Sequence, residues 1–367
     1  MSRSRVVPAW LVLLGGCGQE YDVLTKPPAV DPADVTECPF SPVEGTRFRR
    51  YDCNPVFSGT DEEWIDGGVG SIGFHVEEVL GHPFYQMWYA TGRTDGAYGL
   101  GYAISADGTN WTPLPENPVH LSPGPNQWNA DSMSGLTVVW DGGADEYVLA
   151  YQGVNFAQND NGVGILSSPD GRDWTEERGG KPFIDLGQSL DGVDYCWPLA
   201  LTWSVDQGYR GYITGGRSGL DDVCQVYAYG GPDIDHLVPD GDVVLKAGPQ
   251  SYDQEGMASA AVVELDGTWY MFYVGIRRWV TDPNYPGWLF ATDTTLNLAT
   301  SVDGVTWEKS EDNPIEEISL VDDPFRIGNV GAQVVGSRIH LWIDDWYEEE
   351  GGSAVGYFLY EPFVDPW

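Results

Sequence analysis

The sequence predicts an all-β protein made of five similar units that close into a ring. The pattern Ser-x-Asp-Gly-x-x-Trp occurs three times, at Ser105–Trp111, Ser168–Trp174 and Ser301–Trp307. The interval between the second and third copies is about twice the interval between the first and second. A unit of this size cannot bury both of its faces alone, so such units stack or close on themselves.

Two further markers recur with the same period and bring the number of units to five. The first marker is a short Pro-containing motif such as Asn-Pro-Val, and at its fourth position the sequence has instead Gly241–Val244. The other copies of this marker are Asn54-Pro55-Val56, Asn117-Pro118-Val119, Lys181-Pro182-Phe183 and Asn313-Pro314-Ile315. The other marker is an aromatic-rich run, at Met87–Ala90, Val148–Tyr151, Arg210–Thr214, Met271–Val274 and His340–Ile343.

Each unit has the pattern of four short antiparallel strands. A strand of small apolar residues comes first, then the aromatic run, a Gly-rich loop, a third strand, the Asp-Gly turn and a strand that starts at the Trp. Asp-Gly favours a tight hairpin turn, and the Trp is placed to pack between neighbouring sheets. Even spacing, 47 Gly, 25 Pro and 13% aromatic residues favour a five-bladed β-propeller with four-stranded blades.

The ends of the repeat region predict how the ring closes. The last unit stops near Phe363 without its fourth strand, whereas the first is preceded by an unpaired strand, Arg47–Val56. We therefore expect the N-terminal strand to complete the last blade, with the propeller spanning residues 46–367.

The N-terminus indicates export. Arg3 and Arg5 precede the apolar run Val6–Leu14, which is too short to span a bilayer as a mature helix but suits a signal peptide. Leu-Gly-Gly-Cys at its end resembles a bacterial lipobox, which implies a signal peptide over residues 1–16 and a lipid on Cys17. The alternative is an ordinary signal peptide with a chance cysteine. Residues 17–45 then form an acidic, Pro-containing tether, and we expect a lipoprotein of the outer membrane or cell surface.

Four cysteines remain in the exported protein, and four cysteines allow three pairings. We favour Cys38–Cys53, beside the closing strand, and Cys196–Cys224, within the third unit.

A formal charge of −38 argues against a nucleic-acid partner, because phosphate binding needs clustered Lys and Arg. No zinc-type His/Cys spacing, phosphate-binding Gly loop or Gly-x-Ser-x-Gly motif occurs. We expect a monomer that needs no cofactor, with Ca²⁺ at the central channel as the one cation that its acidic groups would attract.

The candidate site lies where the first strands begin. In a propeller these strands line the channel, so polar residues just before them converge at one mouth. Crowded carboxylates raise one another's pKa, which separates a general acid from an ionised base. The five residues are Asp66, Asp131, Asp194, Glu255 and Arg326. Aromatic residues that suit sugar rings flank them at Trp64, Trp128, Trp197, Tyr252 and Phe325.

Arginines occupy matching places in the loops between second and third strands, at Arg93, Arg217 and Arg277. They either bind substrate or neutralise the acids in an ion-pair network. A larger loop, Arg278–Phe290, is predicted to form one wall of the pocket.

The chain resembles the five-bladed glycoside hydrolases of the arabinanase, levansucrase and invertase type. The resemblance rests on the repeat layout, on the Asn-Pro-Val and Asp-Gly-x-x-Trp motifs and on the acids at the mouth. The resemblance implies Asp66 as base or nucleophile and Asp131 as the residue that tunes pKa or orients substrate. The family's acid is a glutamate in the third blade, where this chain has Asp194, and Glu255 lies one blade later. The expected function is hydrolysis of an extracellular glycan. The alternative is a catalytically silent propeller that binds glycan or protein at the same mouth.

Overall fold

The computed structural model describes residues 38–58, 64–65, 68–92, 98–122, 127–155, 160–179, 181–185, 199–215, 224–281, 289–318, 327–347 and 352–364. These residues form five antiparallel sheets of four or five strands, which are the blades of a five-bladed β-propeller. Within them no helix is long and apolar enough to cross a membrane. The predicted fold class is confirmed.

Successive stretches of chain form the blades, each from the channel outward. Blade 1 contains β3 (Ile72–Val79), β4 (His82–Gly92), β5 (Tyr98–Ser105), β6 (Thr112–Pro113) and β7 (His120–Leu121). Blade 2 contains β8 (Ser132–Asp141), β9 (Glu146–Asn155), β10 (Asp160–Ser168), β11 (Thr175–Glu176) and β12 (Ile184–Asp185). Blade 3 contains β13 (Leu199–Ser204), β14 (Gly208–Gly215), β15 (Gln225–Gly231) and β16 (Val238–Leu245). Blade 4 contains β17 (Gly256–Leu265), β18 (Thr268–Thr281), β19 (Leu289–Ser301), β20 (Glu308–Lys309) and β21 (Glu316–Ile318).

Blade 5 joins the two ends of the chain. Its order from the channel is β22 (Ile327–Val335), β23 (Arg338–Tyr347), β24 (Gly352–Tyr360), β2 (Phe48–Tyr51) and β1 (Phe40–Pro42). The predicted closure by the N-terminal strand is confirmed, with Arg49 facing Leu359 across the β2–β24 pair. The predicted start of the propeller at residue 46 is too late, because β1 already belongs to this sheet.

The Asn-Pro markers divide the outer strand into two short pieces, which is why several blades have a fifth strand. In blade 1, Asn117 takes the place of a strand residue opposite Tyr102. Its side-chain oxygen accepts from the Tyr102 N–H at 2.9 Å and its amide donates to the Tyr102 carbonyl at 3.1 Å. Asn313 pairs with Leu298 in the same way in blade 4. The side chain therefore satisfies backbone groups that the interrupted strand leaves open.

The Asp-Gly turns connect neighbouring blades at the end of the propeller opposite the predicted mouth. Gly108 has φ +80°, a conformation that favours glycine. Its carbonyl accepts from Trp111 at 3.1 Å and from Trp342 of blade 5 at 3.0 Å. The Gly171 carbonyl likewise accepts from Trp88 of blade 1 at 2.7 Å. These two turns thus fasten blade 1 to blade 5 and blade 2 to blade 1.

The core consists of the interfaces between blades. Each first strand contacts the next, in the order β3, β8, β13, β17, β22 and back to β3. Buried aromatic side chains such as Trp88, Tyr212 and Trp342 fill the space between sheets. A closed ring leaves a central channel along the first strands, with a cavity of about 440 Å³.

Candidate functional site

Hydrogen bonds hold the beginnings of the first strands together. The Ser71 hydroxyl, in blade 1, accepts from the Gly135 N–H of blade 2 at 2.8 Å and from the Asn329 amide of blade 5 at 3.1 Å. The Ser259 hydroxyl, in blade 4, accepts from the Val330 N–H of blade 5 at 3.2 Å. All these strands therefore begin at the same end of the channel, which is the mouth expected from the sequence.

Two of the predicted mouth acids are described, and both are exposed at this end. The Asp131 N–H donates to the Val154 carbonyl at 2.9 Å, and the Glu255 N–H donates to the Ile276 carbonyl at 3.0 Å. These bonds tie each residue, exposed as it is, to the second strand of its own blade. Asp66, Asp194 and Arg326 lie outside the described residues, so their convergence with Asp131 and Glu255 stays a prediction.

The aromatic residues beside these acids belong to the blade core. Trp128 is only 9% exposed, and its ring stacks on Tyr151 with centroids 6.0 Å apart. A Cβ at Gly153 would lie 2.5 Å from the Trp128 ring, so the indole also packs closely on the backbone of β9. Trp64 stacks on Tyr89 in the same manner, at 6.2 Å. Trp128 is thus packed against a tyrosine and offers little surface to a sugar, whereas Trp64 is half-buried.

The tyrosines beneath these rings explain two glycines that the repeat analysis did not interpret. A Cβ at Gly101 would lie 2.3 Å from the Tyr89 ring, and one at Gly164 would lie 2.3 Å from the Tyr151 ring. Asn129 donates to the Tyr151 hydroxyl at 2.6 Å. A glycine in the third strand opposite a tyrosine in the second is the sequence signal for this stack.

In blade 4 the corresponding aromatic residue, Tyr252, is also buried, at 8% exposure. Next to it, Asp253 is completely buried and accepts from the Lys309 ammonium at 2.5 Å and the Tyr273 hydroxyl at 3.1 Å. Burial raises the pKa of Asp253, and Lys309 opposes that effect. The enclosed ion pair makes Asp253 a structural acid, distinct from the exposed Glu255.

Arg277 lies in β18 and not in a loop. Its guanidinium is 4.0 Å from the Asp293 carboxylate of β19. The two ends of the predicted loop wall Arg278–Phe290 continue this hairpin, because β18 reaches Thr281 and β19 starts at Leu289, and residues 282–288 lie outside the described residues. Arg93, Arg217 and Trp197 lie outside the described residues, and their roles stay predictions.

A buried carboxylate at the mouth was not among the predicted acids. Asp344, in β23, is 7% exposed and accepts from both the backbone N–H and the side-chain amide of Asn329. Asn329 in turn reaches Ser71, so the acid supports the contact between blades 5 and 1. The sequence signal is the serine or asparagine at the start of successive first strands.

The cysteine and metal predictions have different outcomes. The Cys38–Cys53 disulfide is confirmed, with Cα atoms 6.0 Å apart, and it joins β1 to the end of β2. Cys224 is buried, whereas Cys196 and Cys17 lie outside the described residues. Within the described part of the chain no three His, Cys, Asp or Glu side chains are grouped to hold a metal ion. The Cys196–Cys224 pairing and the Ca²⁺ site therefore stay predictions.

Comparison with known proteins identifies the fold. No protein-family model matches the chain, and no curated protein matches it. A solved thermostable family-43 glycoside hydrolase is 14% identical with a TM-score of 0.60, covering 82% of this chain and 91% of its own. A β-1,2-mannobiose phosphorylase from Listeria innocua is 14% identical with a TM-score of 0.60, covering 86% of this chain and 96% of its own.

A glycoside hydrolase-like protein from Bacteroides ovatus is 16% identical with a TM-score of 0.59, covering 84% of this chain and 95% of its own. At these identities the likeness establishes a shared five-bladed propeller. The chemistry of this chain has to be argued from its own side chains.

Proposed function

We propose that the protein binds an extracellular glycan at the mouth where the first strands begin and hydrolyses a glycosidic bond there with paired carboxylates. The observation that carries the proposal is the placement of Asp131 and Glu255. Both are exposed carboxylates at that mouth, and a backbone hydrogen bond fixes each one to its blade. Two solved proteins with the same fold, a family-43 glycoside hydrolase and a β-1,2-mannobiose phosphorylase, support the choice of a glycan as substrate class.

The proposed chemistry needs one carboxyl group that donates a proton and one that stays ionised. We assign Asp66 as the base, Asp131 as the residue that tunes it, and Asp194 or Glu255 as the acid. An inverting enzyme holds the two groups about 6.5–9.5 Å apart to leave room for water, and a retaining one about 5–5.5 Å. The stereochemistry of the released sugar therefore reports this separation directly.

A binding protein without catalysis is the second candidate, and two contacts favour it. Arg277 lies 4.0 Å from Asp293, so this arginine faces an acid of its own hairpin. Trp128 is buried against Tyr151, which removes one expected sugar platform. In that case the same mouth holds a glycan or a protein and leaves it intact.

We also propose that residues 1–16 direct export and that a lipid on Cys17 holds the propeller at the outer membrane or cell surface, with the residues between Cys17 and Cys38 as a tether, because β1 already belongs to the last blade. The formal charge of −38 keeps such an exported domain soluble. Location at the surface would give the mouth access to polymers that cannot enter the cell.

The deciding experiment measures hydrolysis of plant and bacterial polysaccharides and of chromogenic glycosides. Asp66→Asn and the double variant Asp194→Asn/Glu255→Gln should each lower kcat by at least about 10²-fold, because each removes a group that transfers a proton in the transition state. Asp206→Asn, in the exposed β13–β14 turn at the other end of the channel, is the matched control and should leave kcat unchanged. Glycan binding without turnover would establish the second candidate instead, and hydrolysis unaffected by both mouth variants would overturn the site.

A further inference from the structure

The channel has a second opening, at the end where the Asp-Gly turns lie, and its wall is rich in tryptophan. Trp140, Trp203 and Trp269 line the cavity of about 440 Å³ from three different blades. A cavity of this size falls in the range of small-molecule sites, about 300–1,000 Å³. This opening is opposite the mouth that carries Asp131 and Glu255, so a ligand here would not use those carboxylates.

Packing fixes the orientation of these rings. Trp203 lies over the β8–β9 turn, where a Cβ at Gly142 would be 3.1 Å from the indole. Trp140 meets the Tyr147 ring edge to face, with centroids 4.7 Å apart. Both indoles remain partly exposed, in contrast to the fully packed Trp128 at the mouth. Each of the two rings is therefore fixed in orientation and still has apolar surface that a ligand can reach.

Hydrogen-bond donors and hydrogen-bond acceptors surround the tryptophans. Arg210 donates to the Gln207 side chain at 3.1 Å, and its guanidinium lies 6.0 Å from the Trp269 ring. Gln207 and Glu264 are exposed at the same opening. Hydrogen-bond donors and acceptors beside apolar ring faces match a sugar, which has C–H faces and many hydroxyl groups. The mixture of one cation and one anion favours a neutral ligand over a charged one.

A second cavity, of about 200 Å³ between blades 1 and 2, shares Trp140 as a wall. Its floor is a hydrogen-bonded group in which the Tyr102 hydroxyl donates to Gln86 at 2.7 Å and Gln86 donates to the Tyr147 hydroxyl at 3.1 Å. Arg172 lies above the Tyr102 ring at 6.0 Å. Both cavities border Trp140, so a ligand longer than one ring would have to cross this indole to reach both.

We propose that this opening is a second carbohydrate site, which binds a neutral oligosaccharide along Trp203 and Trp140 and into the cleft between blades 1 and 2. The channel cavity extends to Ser259 and Asn329 near the mouth, but neither Asp131 nor Glu255 lines it, so the site at the tryptophan end does not use the carboxylates of the proposed hydrolysis. It would hold a polymer on the underside of the propeller while the mouth faces another chain or another part of the same one.

The test uses protein labelled with 5-fluorotryptophan and titrated with tetrasaccharides from arabinan, xylan, levan and β-mannan. Trp140→Phe and Trp203→Phe each remove one fluorine signal and so assign it. We expect the signals of Trp140 and Trp203 to shift with one of these sugars while that of Trp174, which lines neither cavity, stays in place. The titration is repeated in Asp131→Asn/Glu255→Gln protein, where the shifts should persist whether or not the mouth is catalytic.

The affinity of each variant completes the test. Trp140→Phe should raise the dissociation constant about tenfold, the change that ~1.4 kcal/mol produces. Trp174→Phe is the matched control and should leave it unchanged. Gln207→Ala, in an exposed turn, should also weaken binding and serves if Trp140→Phe fails to fold. No shift at Trp140 and Trp203 with any of the four sugars, or shifts that disappear in the mouth variant, would overturn the proposal.

Discussion

The Ser71 hydroxyl lies 3.1 Å from the side-chain amide of Asn329, and this hydrogen bond joins the first blade to the last. The same hydroxyl accepts from the Gly135 N–H of the second blade at 2.8 Å. Ser71 is 6% exposed, so water cannot easily replace either partner. One hydroxyl thus links three blades at the mouth.

Ser71→Ala should therefore destabilise the fold, because it leaves the buried Gly135 N–H without its acceptor and removes one of the two acceptors of the Asn329 amide. We expect a loss of ~1–3 kcal/mol in the free energy of unfolding, measured by chemical denaturation. Ser41→Ala is the control, since the Ser41 hydroxyl donates to Asp52 in an exposed hairpin. Equal stability of the two variants would show that the Ser71 contacts do not help to hold the ring.

Ring closure by the N-terminal strand can be tested at Phe48. Its side chain is 1% exposed and contacts Tyr360 and Phe272, with centroids 4.8 and 5.9 Å apart. Phe48→Ala should cost ~3–5 kcal/mol of unfolding free energy. Phe363→Ala, at a ring that is 61% exposed, should have little effect. A small loss at Phe48 would contradict the view that this strand completes the last blade.

Deleting residues 46–57 tests the same closure more severely. It removes β2 and leaves β24 as an exposed edge, which should lower both the melting temperature and the solubility. Thermal melts and sedimentation of the deleted protein measure the two effects. An unchanged melting temperature would be incompatible with closure by this strand.

The Cys38–Cys53 disulfide closes a short loop, with a sequence separation of 15 residues. Cys38→Ser/Cys53→Ser should lower the unfolding free energy by ~3 kcal/mol, because the unfolded chain gains freedom. The variant is compared with the parent by denaturation under oxidising conditions, so that any other disulfide stays intact. A variant as stable as its parent would mean that the hairpin is held without the bond.

The buried side chain of His340 should make the folded protein less stable in mild acid. Burial, and then the charge of Arg338, lowers its pKa from 6.5 to about 4. The unfolded chain binds the proton first, so the contribution of His340 is complete above pH 6.5 and is lost as the pH falls towards 4. His340→Gln should flatten stability curves across this window, because it removes the buried imidazole that the unfolded chain protonates first. Identical curves for parent and His340→Gln would contradict the assignment.

Lipidation at Cys17 is tested by cell fractionation. Cys17→Ser removes the proposed attachment point and should move the protein from the membrane fraction to the soluble one. Cys224→Ser is a control that keeps the number of cysteines equal. Retention of the Cys17→Ser protein in membranes would refute the anchor.

The sequence by itself determined the architecture. The Asp-Gly turns, the Asn-Pro markers and the unpaired strand near Arg47 depend on local conformation and on spacing, which a single chain displays directly. They predicted five blades and the closure at β2–β24, and the nearby pair Cys38–Cys53 followed from the same arrangement. The repeat also placed Asp131 and Glu255 correctly before first strands.

Only the tertiary structure decided what the side chains near the mouth do. In the sequence, Trp128 and Tyr252 lie beside the mouth acids, where they would line a binding site. Their burial depends on tyrosines of another strand and on glycines that make room for the rings. Asp344 became important through Asn329 and Ser71, which come from opposite ends of the chain. Whether a carboxylate is exposed, paired or enclosed depends on which strands pack beside it, and that information arises only when the ring closes.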